Sequence, residues 1–131
     1  MEQSKAVVYC RANTQNELNL QYEELRTFAE KNGYSIARTI SEFGNCDDMT
    51  WRTLRLMARY REYRVLLIDT LDVLNTSPEN ITEEIRYLSA NGVSVVSMQN
   101  GTITTENLPE LFRKRFKVIK CKKHKNRRIY K

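Results

Sequence analysis

Proline, glycine and histidine are scarce in this chain, at two, four and one of 131 residues. No stretch rich in Pro and Gly divides it before the C-terminal tail, so an internal linker is excluded and one ordinary domain is expected. Internal repeats and low-complexity tracts are also missing. No run approaches the roughly 18 consecutive apolar residues that a membrane span needs. The opening MEQSK passes straight into an apolar strand pattern, not a signal-peptide core. A soluble, cytoplasmic protein with no membrane contact is therefore expected. Cys10, Cys46 and Cys121 form an odd set without framework spacing, which predicts free thiols in a reducing compartment. Cys121 and His124 have C-x-x-H spacing, but no second pair accompanies them, so neither a metal site nor a cofactor is expected.

Acidic residues are missing from one end of the chain. Residues 1–112 hold all 16 acids and 11 of the 22 cations, a net charge of −5, whereas residues 113–131 hold the other 11 cations and no acid. The division predicts a body, 1–112, and a polyanion-binding arm, 113–131. Arg113, Lys114, Arg115, Lys117, Lys120, Lys122, Lys123, Lys125, Arg127 and Arg128 are its candidate nucleic-acid contacts. Only Phe116 and Tyr130 could stack on bases there, which favours duplex backbone over single strands as the partner.

Within the body, short β-branched runs alternate with amphipathic stretches. KAVVYC at 5–10 reads as a strand buried on both faces. Leu18, Leu25, Phe28 and Ala29 recur at helical spacing over 17–31, and Asn32-Gly33 is a C-terminal stop. Residues 34–40 read as a second strand, followed by the loop EFGNCDD. Trp51, Leu54, Met57 and Ala58 mark a second helix with Arg52, Arg55, Arg59 and Arg61 mostly on its polar side. RVLLID at 64–69 is the clearest strand. Thr76-Ser77-Pro78-Glu79 opens a third helix, which carries Ile81, Ile85 and Leu88 inward, and VSVVSM at 93–98 is a fourth strand. This alternation predicts a three-layer α/β fold, its mainly parallel sheet of four or five strands covered by helices on both faces. Functional loops should follow the carboxyl ends of the strands. Leu108, Leu111, Phe112, Phe116 and Ile119 predict one further short helix, with Pro109 in its first turn.

The first strand ends in Tyr9-Cys10-Arg11-Ala12-Asn13-Thr14, followed by Gln21 on the next helix; the third continues as VLLIDTLDVLNTS; and Gly92-Val93 leads through the fourth strand to Gly101. Over about residues 5–105 this order resembles the serine recombinases of the resolvase/invertase type. Their first strand ends in Tyr-x-Arg-x-Ser-Thr, and their third is followed by Leu-Asp-Arg-Leu-x-Arg-Ser. The resemblance implies a DNA strand-exchange fold in which a serine attacks a phosphodiester while arginines clamp the phosphate. It matches Arg11 to the first arginine, Gln21 to the helix glutamine and Asp72 to the aspartate, with a cap or turn role for Asp72 open beside it.

Asn13 occupies the nucleophile position, and an amide nitrogen, its lone pair delocalised, cannot replace an alkoxide. Val73 and Thr76 stand where two arginines follow the aspartate, and Cys46-Asp47-Asp48-Met49 stands where another is due. Each lost transition-state donor costs on the order of 10²-fold in rate, which leans against cleavage. The resulting expectation is a resolvase-like DNA-binding protein with a degenerate site, binding duplex DNA and forming a homodimer or associating with another recombinase. The alternatives are a recombinase with a displaced nucleophile, and an interaction module whose tail grips RNA or an acidic protein.

Overall fold

The computed structural model describes residues 4–44, 48–74 and 77–113. The expected tail contacts from Lys114 to Arg128, together with Cys46, Thr76 and Cys121, lie outside these residues. In chain order the elements are β1 (Ser4–Ala12), α1 (Gln15–Lys31), β2 (Tyr34–Phe43), α2 (Asp48–Arg59), β3 (Val65–Ile68), a 3-10 turn (Leu71–Leu74), α3 (Pro78–Ala90), β4 (Ser94–Ser97) and β5 (Gly101–Ile103). A further helical segment covers 108–113. The sheet order is β2-β1-β3-β4-β5, parallel except for β5, which runs antiparallel to β4.

Strand alternation divides the core in two. Ala6, Val8, Cys10 and Ala12 of β1 pack with Leu18, Leu25 and Ala29 of α1. Val7 and Tyr9 point the other way, into a larger cluster with Leu54 and Ala58 of α2, Ile81, Ile85 and Leu88 of α3, and Leu108. β1, central and buried on both sides, is apolar without alternation, whereas β2 lies at the sheet edge with half-exposed and exposed residues along its length.

Local signals place the boundaries. Thr14 caps α1, its Oγ1 accepting from the Glu17 N–H at 3.2 Å, so the helix begins two residues before the expected start. Ser77 caps α3 within the expected opening, accepting from the Asn80 N–H at 3.2 Å, with Pro78 in the first turn. Residues 41–43 lie beyond the expected end of the strand, and Glu42 and Phe43 in the expected loop, yet they extend β2 because Ser41, Glu42 and Phe43 pair with Cys10, Arg11 and Ala12. Among the described residues no helix is long and apolar enough to cross a membrane.

Between α2 and α3 a polar contact interrupts the apolar packing. Glu84 of α3 lies 3.7 Å from Arg55 of α2, and its Oε2 is buried without a hydrogen-bond partner among the described residues. Burial pushes the Glu84 carboxyl above the usual carboxylate range, opposed by the Arg55 charge. The same carboxylate, after burial, raises the phenol of Tyr63, whose hydroxyl donates to the Leu54 carbonyl at 3.0 Å.

A folded-state value above the unfolded one means that the fold favours protonated Glu84. Its contribution is therefore fully present below the unfolded-state value and is lost as pH rises through the folded one. Glu84→Gln should leave thermal stability unchanged near pH 4. At pH 8 it should raise the melting temperature by a few degrees, corresponding to about 1 kcal/mol. Melting curves at the two pH values check this; a lower melting temperature at pH 8 would mean that the Arg55 pair outweighs desolvation.

Candidate functional site

β1 outruns β3 at the carboxyl edge of the sheet. The two strands pair only from Ala6 to Val8 on the β1 side, so the peptide of Arg11 has no strand beside it there. The Gln21 side chain fills the gap: its Oε1 accepts from the Arg11 N–H at 3.0 Å and its Nε2 donates to the Arg11 carbonyl at 3.2 Å. One amide thus supplies both bonds that a neighbouring strand would have made.

The Arg11 side chain reaches across the same edge. Its Nε donates to the Val73 carbonyl at 2.7 Å and its Nη1 to the Gly44 carbonyl at 2.6 Å. The guanidinium joins the end of β1 to the turn after β2 and to the 3-10 turn after β3. Gly44 has φ +74°, the left-handed backbone that glycine adopts without strain.

The 3-10 turn faces inward. Leu71, Val73 and Leu74 are all buried in the larger core cluster, Val73 at 6% exposure. An arginine at position 73 would have to displace this packing. Asp72 lies on the same turn by its backbone, which places it at the carboxyl edge with Arg11.

Asn13 is exposed at the start of the β1 to α1 connection, and its backbone N–H points to Glu17 Oε2 at a long 3.4 Å. Thr14 beside it is occupied as the α1 cap. Of the loop expected to bring another arginine, Asp48 opens α2 and Met49 is exposed, and both precede the buried Trp51.

Two neighbours were not anticipated from the sequence. Glu42 faces the site from β2, its Oε2 accepting from the fully buried Tyr9 hydroxyl at 3.0 Å. Continuation of the β2 pattern past Ile40 was the signal for it. Asp69 closes the other side: its carbonyl accepts from Ser97 Oγ at 2.8 Å and from the Gln99 N–H at 3.1 Å, tying β3 to the β4–β5 turn. Burial and, second, Asp69 push the Cys10 thiol up to about 12, so this free cysteine is an inert core residue. Among the described residues no group of three His, Cys, Asp or Glu could hold a metal ion.

The Resolvase, N terminal domain family matches residues 6–128. No curated protein sequence matches. A resolvase-family site-specific recombinase from Streptococcus pneumoniae is similar in structure, with a TM-score of 0.72 over 95% of each chain at 13% identity. The N-terminal catalytic domain of TP901-1 integrase gives 0.67 over 92% of this chain and 97% of that one, at 18% identity. The C-terminal catalytic domain of ISC1926 TnpA, an IS607-like serine recombinase, gives 0.61 over 71% of this chain and 69% of that one, at 23% identity. At these identities the likeness is one of fold.

If Arg11 and Gln21 hold the edge together, removing them acts on stability. Arg11→Ala and Gln21→Leu should each cost about 1–3 kcal/mol in urea unfolding, since partly buried peptide groups are left unpaired. An arginine kept only for an external phosphate would leave the unfolding midpoint unchanged on replacement.

Proposed function

The chain belongs to the resolvase N-terminal domain family, and on that premise we propose that it is a DNA-binding, resolvase-like protein without cleavage activity of its own. One observation carries this reading. Position 73, where the resemblance calls for a phosphate-binding arginine, is a valine buried in the core, and its carbonyl holds the guanidinium of Arg11. The arginine that the resemblance does preserve is thereby engaged inside the protein. Asn13, with no nucleophilic lone pair, stands in the attacking position, and the Thr14 hydroxyl beside it serves as a helix cap. Gln21 and Asp72 are then read as parts of the edge architecture instead of a reaction centre.

DNA affinity is assigned to the basic arm, 113–131, and folding and self-association to residues 1–112. Arg113, the first of the arm's cations, is exposed. The eleven cations of the arm meet no acid of their own, whereas the body is net negative. Contact with phosphates through such an arm is indifferent to base sequence and releases counterions.

Two outcomes are expected. If about half of the arm's cations engage, the log–log slope of duplex affinity against salt should be near −5. Replacing the arm's Lys and Arg by Gln should abolish most of that affinity and flatten the slope, as read by fluorescence anisotropy between about 50 and 200 mM salt. Retention of full affinity would move the binding surface to the body. Loss of binding already in the native chain near 150 mM, with an acidic protein competing at low salt, would favour the interaction-module alternative.

The second outcome is chemical. Asn13→Ser should form no covalent adduct with a suicide DNA substrate, because the phosphate clamp is still missing at Val73 and Thr76. An adduct from that variant, or from the native chain, would establish a working site.

A further inference from the structure

The amino edge of the sheet, opposite the edge that Arg11 ties together, gathers cations on a body that is net negative. Lys5 is the second residue of β1 and Arg64 immediately precedes β3, and the Arg64 N–H donates to the Lys5 carbonyl at 2.9 Å. α2 returns the chain from the carboxyl end of β2 to the amino end of β3, and so delivers Arg59 and Arg61 to the same edge. Arg38 reaches over from β2, its Nη1 3.8 Å from Met57 Sδ in the last turn of α2. Lys5, Arg38, Arg59, Arg61 and Arg64 are all exposed, and among the described residues none of them forms an ion pair. Glu62, in the turn after α2, is an exposed acid beside them.

The turn that ends α2 carries an arginine where glycine is the default. The Glu62 N–H donates to the Met57 carbonyl at 2.9 Å and the Arg61 N–H to the Ala58 carbonyl at 3.0 Å, the paired bonds of a Schellman cap. Its left-handed residue is Arg61, with φ +57°, whereas the corresponding residues after α1 and α3 are Gly33 and Gly92, at +76° and +82°. Glycine adopts this backbone freely, and a residue with a side chain is strained in it. A strained residue held in place points to a use for its side chain. The negative end of the α2 dipole accounts for a cation at Arg59 or Arg61, but not for Lys5, Arg38 and Arg64, which belong to the strands and their approach.

We propose that this amino edge is a second phosphate-binding surface, which takes the backbone of duplex DNA. The proposal rests on the DNA-binding reading above and adds to the arm a surface on the folded body, on the side of the sheet away from Arg11. Guanidinium groups pair with phosphate oxygens in a planar fork, and Tyr60, 70% exposed between Arg59 and Arg61, adds a hydroxyl donor. Such contacts position a duplex without reading its sequence. A second copy of the same edge would set cation against cation, so the chemistry of the surface calls for a polyanion.

The test is fluorescence anisotropy of a labelled duplex with the full-length protein, between about 50 and 200 mM salt. An edge variant carries Arg59→Gln, Arg61→Gln and Arg64→Gln; a control carries Arg26→Gln, Arg52→Gln and Arg86→Gln, which removes the same charge elsewhere on the body. A third protein has the Lys and Arg of the arm replaced by Gln, and a fourth combines the arm and edge changes. All substituted side chains of the edge are exposed, and circular dichroism confirms that the variants stay folded. The edge variant should lose at least about tenfold in affinity near 100 mM, with a log–log slope shallower by about 2 to 3, at about 0.9 per phosphate contact. The control should keep the native slope. The arm variant should retain weak binding at the lowest salt, and the combined variant should lose it. Arg61→Gly alone should not lower the melting temperature, because glycine relieves the cap, yet it should weaken duplex binding about threefold. Native affinity and slope in the edge variant overturn the proposal and leave the edge to an acidic protein. An equal loss in the control overturns it too, since net charge alone would then be at work. Failure of the arm reading looks different: the arm variant would bind like the native chain while the edge variant still differed from its control.

Discussion

The guanidinium of Arg11 is the constraint on which the carboxyl edge of this sheet rests. The end of β1 and the turns after β2 and β3 meet there, each with peptide groups that lack a strand on one side. Arg11 binds the Gly44 and Val73 carbonyls, and Gln21 binds the Arg11 peptide itself. Inside a protein such groups must be paired or the edge opens to water. The inward turn at Leu71–Leu74 and the engaged arginine are therefore one arrangement. With valine at 73 the side chain joins the core, the turn settles against β1, and its carbonyl comes within reach of Arg11.

That coupling changes what a family-matched residue means. Arg11 and Gln21 stand where the resemblance places parts of a phosphate site, yet their polar groups are turned to backbone. Residue identity at a matched position reports the architecture that it serves as readily as the chemistry.

The parallel core was legible because its strands and helices repeat at different periods. The apolar runs of β1, β3 and β4 and the spacing of Leu18, Leu25, Ile81, Ile85 and Leu88 need no tertiary information. The Ser77 cap belongs to the same local chemistry, and α1 begins only two residues before its expected start. Harder to read were features that exist because distant segments meet. The last residues of β2 become strand only by pairing with Arg11 and Ala12. The 3-10 turn after β3 draws its apolar residues inward only because β1 and α2 provide a core to enter, and Gln21 serves as a substitute strand only because β3 stops short. Net charge was similarly blunt: the body's −5 conceals an α2 with three arginines and an α1 with four glutamates.

β1 lies inside the sheet, between β2 and β3, but is the first of the five strands to leave the ribosome. Its partner on one side, β2, follows at once through α1, whereas β3 on the other arrives only after α2 has been made. The nascent chain can close β1, α1 and β2 into a right-handed unit and bury the face of Ala6, Val8 and Cys10 early. Until β3 emerges, the opposite edge of β1 is an open row of peptide groups beside Val7 and Tyr9, the kind of surface that captures other strands. Chaperone dependence and misassembly during synthesis should therefore concentrate in the interval between the emergence of β2 and that of β3.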